Sequence, residues 1–378
     1  MILTADDGTI VMVGADLKKE ASHLGVKVEQ HDGLLVPGFV NTHCHLELSC
    51  MKGALKQHTG LTGFVKAFVS KRGQYSEQEK AEAIAAGEAE MIREGIVAVG
   101  DISNGNSTFK QKSLGNLYYH TFLEIFDLHP SRATETFERA LALQQELVIQ
   151  CPGAASAIVA HAPYTVSPAL HQLIALHAIA GRSIGSIHSQ ESEAEEVLFQ
   201  TGGGKLEEMY RTMGMDYSWF APIGKSSLHG TLPFYAQAYK LLLVHNTFLS
   251  EGDAAFLKDL HHPQLALATC PQANRYIEGR LPHYPTWQMS GLPITVGTDS
   301  LASNNRLSIL EEIKTIAQSF PQIGVETLFR WATLNGAVFL DIDSRYGSFE
   351  AGKRPGVVCV KGGALSGFAA DASAKRLV

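Results

Sequence analysis

LLVPGFVNTHCH, residues 34–45, runs from an apolar segment into two histidines one residue apart. A β-strand sends successive side chains to opposite faces, so His43 and His45 project from the same side and Cys44 from the other. Two neutral imidazoles on one face make a site for a borderline divalent metal. Three further apolar runs end in the same kinds of side chain: SIGSIHSQE (183–191) at His188, LLLVHN (241–246) at His245 and LPITVGTDS (292–300) at Asp299. A further histidine and a carboxylate complete the set. Five residues on four segments describe a metallohydrolase.

The runs also describe a fold. Apolar strand-like segments recur at 95–103, 118–126, 157–165, 183–190, 241–246, 265–271 and 293–300, with amphipathic helical patterns such as 76–95 and 131–150 between them. Strands that are apolar throughout and followed by helices imply a parallel sheet covered on its outer face. Counting the run that ends in His43, there are eight. The span from His43 to Asp299 is close to the ~250 residues typical of a (β/α)8 barrel. A doubly wound open sheet is the alternative, but no GxGxxG follows the first strand. The reading is therefore α/β: a (β/α)8 TIM-like barrel over residues 37–346, with its ligands at the carboxyl ends of strands one, five, six and eight. A small β-sandwich domain is expected from both chain ends, residues 1–36 and 347–378. The short β pieces before Leu34 lack a first strand for that domain, so Met1 is expected to lie inside it.

Composition narrows the function. The chain has 378 residues, 45% hydrophobic and 18% charged, with a net charge of -7. That supports a sizeable core and offers no basic run for a nucleic-acid partner. The five cysteines, Cys44, Cys50, Cys151, Cys270 and Cys359, form no CxxC pair and read as free thiols in a reducing compartment. No apolar stretch approaches the roughly 20 residues of a membrane span, and no signal peptide is apparent. A cytoplasmic enzyme for a small molecule is expected, with a homodimer as the default assembly.

The ordered motifs PGFVNTHCHLELS (37–49), HAPYTVSP (161–168), HSQESEAE (188–195), VHNTFLS (244–250), TCPQAN (269–274) and GTDSLASNN (297–305) together resemble the amidohydrolase superfamily. The most similar branch is its chlorohydrolase-like aminohydrolases, which deaminate nucleobases and nucleosides. The resemblance implies that His43, His45, His188 and Asp299 hold one divalent metal, zinc or iron. It implies that His245 hydrogen-bonds the attacking water or the developing oxygen, that Asp299 accepts the water's proton, and that Glu191 of HxxE shuttles protons. His161, Glu47, Ser49 and Asn304 are the implied substrate contacts, with Asp101 and Glu124 also near the mouth. NTHCHLE is similar to the first motif of the branch's aminodeoxyfutalosine-deaminating members, so an aminopurine nucleoside or analogue is the implied substrate.

Two-metal members of the superfamily generally carry a bridging carboxylated lysine on strand four, and AIVAHAPYT (157–165) has no lysine. His45-Leu46-Glu47 matches the H-x-E of cytidine deaminases, but the required PCxxC is missing. TGGGKLEE (201–208) lacks the phosphate-loop pattern. A guanine, pterin, chlorotriazine or imidazolone ring remains the alternative substrate, and a non-catalytic barrel the alternative class. Pro355-Gly356 stands where relatives usually carry Ala-Asp, which places the pairing of a terminal strand in question.

Overall fold

In the computed structural model, which describes residues 1–15, 17–260 and 264–378, the strands after β1 (Ile2–Thr4), β2 (Ile10–Val13) and β3 (Leu34–Pro37) follow a single rhythm. β4 (Phe39–Cys44), β5 (Ile96–Ser103), β6 (Tyr118–Ile125) and β7 (Ala155–Ala160) pair in parallel and in chain order. β8 (Ile184–Ser189), β9 (Lys240–His245), β10 (Leu265–Thr269) and β11 (Ile294–Val296) do the same. β4, β5 and β9 are buried at every position, because one face lines the barrel and the other lies under helices. That is why these strands read as continuous apolar runs and not as alternating ones.

The two four-stranded sheets meet at two seams. Beyond the end of β7, the His161 carbonyl accepts the His188 amide of β8 at 2.9 Å. Between β11 and β4, Cys44 bridges Asp299 in parallel. There the side chains do what a longer ladder would: Asn41 Nδ2 donates to Thr298 Oγ1 at 2.8 Å, and Thr298 N returns a hydrogen bond to Asn41 Oδ1 at 3.1 Å. Thr42 and Thr295 pair their hydroxyls at 2.8 Å below. The barrel interior is filled by Val40, Ala98, Phe122, Val159, Leu242 and Ala268. A second apolar layer, including Phe39, Val99, Leu123, Leu243, Trp287 and Ile313, lies between strands and helices.

The expected helix at 76–95 forms as Glu77–Arg93. Ser76 and Glu79 exchange side-chain and backbone hydrogen bonds in a capping box that starts it. The second expected helix forms as Ala133–Gln150. Among the described residues no helix is long and apolar enough to cross a membrane.

Both chain ends build the small β unit. β12 (Val357–Ala364) pairs antiparallel with β3 on one side and β13 (Gly367–Arg376) on the other, with Val36 opposite Val358. It is a single three-stranded sheet, and β1 and β2 form a separate two-stranded ribbon. Ile10 N, in that ribbon, donates to Lys353 O at 2.8 Å. Pro355-Gly356 leaves the pairing intact, because the ladder begins one residue later and a proline there loses no strand hydrogen bond. Pro355 O instead accepts Gly38 N at 3.1 Å.

Gly38 is the one residue between β3 and β4, and so the joint between small sheet and barrel. A Cβ on it would come within 2.5 Å of Pro355 O and collide with Val97. Gly38→Ala is expected to lower stability by about 1–3 kcal/mol through overpacking, read as a shift in the urea midpoint at unchanged m-value.

Candidate metal centre

The carboxyl ends of four strands bring the five residues together. His43 is the penultimate residue of β4 and His45 follows its end, His188 lies near the end of β8, His245 closes β9, and Asp299 follows β11. His43 Nε2 and His45 Nε2 face each other at 3.2 Å, and they lie 3.6 and 3.4 Å from Asp299 Oδ1. His43, His45 and His188 offer ligand atoms within 4.8 Å of one another, as do His43, His245 and Asp299. All five side chains are buried.

The backbone is bent to achieve this. His245 and Asp299 adopt φ of 72° and 55°, left-handed values that cost a non-glycine residue roughly 1 kcal/mol or more. Surrounding bonds hold them: His43 O accepts Thr298 N and Asp299 N at 3.0 Å each, and Ser189 O accepts Asn246 N at 2.8 Å. Gly297 is required here, since a Cβ would lie 2.7 Å from His43 O.

Each ring is then oriented by a neighbour. His188 Nδ1 donates to His161 O at 2.8 Å, which turns its Nε2 lone pair toward the cluster. His245 Nδ1 donates to Asn274 Oδ1 at 2.8 Å. Asp299 Oδ2 accepts the Ser303 hydroxyl. Asn274 and Ser303 lie within TCPQAN and SLASNN, so their segments stand out in the sequence while their roles need the fold.

Burial sets the charge states. It pushes His45 down to about 3 and His161 to about 4, and also lowers His43, His188 and His245. These imidazoles are neutral, the form that ligates metal. Burial alone would raise Asp299, but the imidazoles of His43, His45 and His245 beside it outweigh that and keep the carboxylate well below its ordinary range. Glu191 goes the other way: burial, reinforced by the fields of Asp299 and Glu278, lifts its pKa well above the carboxylate range. The shift favours its protonated form, and Oε1 lies 3.8 Å from His245 Nε2.

These residues fit a divalent metal. Two imidazole nitrogens facing at 3.2 Å each need a partner for a lone pair, and the separation is of the size that two nitrogen ligands of one ion adopt. Three nitrogens and a carboxylate oxygen are a borderline donor set. A second grouping, Glu124, His161 and His188, uses a histidine whose Nδ1 proton is already committed to the His161 carbonyl. β7 contains no lysine.

The other expected residues divide. His161 stands at the mouth with its ring 4.8 Å from that of His188, and Nδ1 bonded to Thr165 Oγ1 at 2.8 Å. Glu47 lies half-buried at the rim, accepting Asn104 N at 3.2 Å. The Ser49 hydroxyl donates to Leu46 O at 2.7 Å and packs under the helix Glu77–Arg93, where a Cβ on Gly87 would meet it at 2.7 Å. The Asn304 amide donates to Thr298 O at 2.8 Å and Glu312 Oε1 at 2.7 Å, and the residue lines a cavity together with Gln57, Gln272 and Arg275. Asp101 is fully buried; it pairs with Lys112 at 2.6 Å and accepts Leu46 N at 2.9 Å, which fixes the loop after His45. Glu124, buried, lies 3.4 Å from His188 Nδ1 and accepts Asn104 Nδ2 at 3.0 Å.

An eight-stranded barrel carrying a histidine and aspartate cluster at its carboxyl mouth defines a class of hydrolase. The chain belongs to the Amidohydrolase family, which it matches over residues 34–376. It is 26% identical to an aminodeoxyfutalosine deaminase of Deinococcus radiodurans over 352 residues, covering 87% of this chain and 80% of that protein. Its fold matches the crystal structure of Helicobacter pylori aminofutalosine deaminase in complex with methylthio-coformycin, with a TM-score of 0.82 at 23% identity, covering 99% of this chain and 94% of that one. It also matches a zinc-bound adenosine deaminase from Xanthomonas campestris, with a TM-score of 0.74 at 23% identity, covering 95% and 79%.

Removing Lys112 would leave Asp101 buried and uncompensated. Lys112→Met is expected to cost about 3–5 kcal/mol and to loosen the loop that carries His45. Urea unfolding measures the first effect and divalent-metal affinity the second.

Proposed function

We propose that the chain is a metal-dependent hydrolytic deaminase of an aminopurine nucleoside or close analogue, with aminodeoxyfutalosine as the first candidate. The observation that carries the reading is Glu191, a buried carboxyl 3.8 Å from His245 whose pKa is raised, at the edge of a cluster whose Asp299 is held low. Deamination needs a proton donor and a proton acceptor side by side, and the two environments separate the carboxyls accordingly. The relatives named above, all deaminases of adenosine-like compounds, support the substrate class.

His43, His45, His188 and Asp299 would hold one divalent ion, and the proposal is zinc. Bound there, such an ion lowers the pKa of water from 15.7 to about 7 and supplies the nucleophile at neutral pH. Asp299 accepts the proton that the water loses. His245, whose Nδ1–H is committed to Asn274, presents its Nε2 lone pair to the same water and orients it. Glu191 gives its proton to the adjacent ring nitrogen. The carboxylate so formed receives a proton from the added hydroxyl and passes it to the departing amino group, so that the products are an oxo-purine nucleoside and ammonia. His161 and Glu47 at the mouth are assigned to the substrate. Residues 37–346 constitute the catalytic barrel in this reading, with 1–36 and 347–378 as the small β unit. The five cysteines are free thiols, which supports a reducing cellular location.

An ammonia-release screen over adenosine, 5′-deoxyadenosine, methylthioadenosine, aminodeoxyfutalosine, guanine and a chlorotriazine tests the reading. Release from one of the adenosine-like compounds is expected, and none from any of them would overturn it. Glu191→Gln is expected to lower kcat by about 10²–10⁴-fold while divalent-metal content is retained. In the wild type, kcat is expected to fall as pH rises through the elevated Glu191 pKa, because the acid form is the active one. His188→Ala is expected to lose the metal as well as the activity, read by elemental analysis of the purified protein.

A further inference from the structure

We infer that Glu195 is a positioning residue for Glu191, an inference that rests on the deaminase reading. The proton shuttle follows Gln190, whose backbone has φ of 46°. Left to itself that residue would relax toward negative φ and carry the Glu191 side chain away from His245. Glu195, one turn into the next helix (Glu193–Thr201), prevents it. Its Oε1 accepts Gln190 N at 2.9 Å and its Oε2 accepts Glu191 N at 3.1 Å. One carboxyl group thus grips two consecutive amides, and the side chain is wholly buried; burial and the neighbouring Glu196 push its pKa up to about 8, against the two amide hydrogen bonds that lower it.

The rest of the turn is held from the neighbouring loop. Gln190 Nε2 donates to Asp253 Oδ2 at 3.0 Å, and Gln190 O accepts Phe248 N at 3.0 Å. These contacts leave the peptide nitrogens of Gln190 and Glu191 to Glu195 alone. Among the described residues Glu195 forms no ion pair; besides the two amides, only the Ser227 hydroxyl and the neighbouring Glu196 act on its carboxyl. The acidic stretch 191–196 therefore contains two different functions: Glu191 faces the reacting groups, and Glu195 faces back to fix the peptide that carries it.

Replacing the Glu195 carboxyl by an amide leaves one acceptor and turns an NH2 group toward an N–H. Glu195→Gln is expected to lower kcat by about 10²-fold, the penalty of misplacing a reacting group by an ångström, with KM changed less than about threefold and metal content unchanged. In a Glu191→Gln background the same substitution is expected to have little further effect, because both changes remove one interaction. A kcat within threefold of wild type would overturn the inference, and so would a full multiplicative loss in the double variant. If Glu195→Gln does not fold, hydrogen exchange on the wild-type protein decides. The amides of Gln190 and Glu191 are expected to be protected to the same degree as those of β8, and rapid exchange of both would refute the clamp. A wild-type protein that deaminates no nucleoside overturns the reaction, while the exchange result still judges the clamp.

Discussion

Closure between β4 and β11 is the constraint on which the rest of this molecule depends. The first and last barrel strands touch through little conventional ladder, and Asn41, Thr42, Thr295 and Thr298 supply the connection with side-chain hydrogen bonds. Closing the sheet places Asp299, made late in the chain, beside His43 and His45, made early. The same His43 carbonyl that anchors the seam accepts two amides from the Asp299 turn. Structural closure and ligand geometry are therefore one set of contacts.

Burial then distributes charge within that frame. Dehydration favours neutral forms, and in the cluster it acts on bases and acids alike: it lowers the imidazoles and raises Glu191. Asp299 escapes because it has close partners that stabilise its anion. A site with neutral donors and one anion attracts a dication without confronting it with a second buried cation. The difference between Asp299 and Glu191 comes from partners, not from residue type.

Much of this was legible in the chain. β4 to β11 are apolar on both faces, so their eight runs stand out, and a histidine or aspartate at the end of such a run is conspicuous against its neighbours. Glu191 was legible through its spacing from His188. What the sequence could not display was direction. Ser49 and Asn304 sit in the right motifs, yet Ser49 turns beneath a helix and Asn304 clamps a carbonyl. Asp101 was placed near the mouth, and its real partner, Lys112, comes from the short helix Phe109–Lys112 that no apolar period marks. Asn274 and Ser303 act through rings and carboxylates distant in sequence, so their partners exist only after closure. The small unit was readable as β pieces at both ends, but the division into a three-stranded sheet and a separate ribbon depends on register.

The pairing of β3 with β12 has a consequence for biosynthesis. Leu34 lies opposite Val360, so an early strand must wait for nearly the whole polypeptide before its edge is covered. His43 and His45 emerge on the adjoining strand and share that delay, since Asp299 is translated long after them. During synthesis the nascent chain thus carries a bare histidine pair and an open strand edge together, both sequestered by the same late events. Translation of the Asp299 segment, rather than any local folding step around His43, sets the earliest moment at which this centre can be complete.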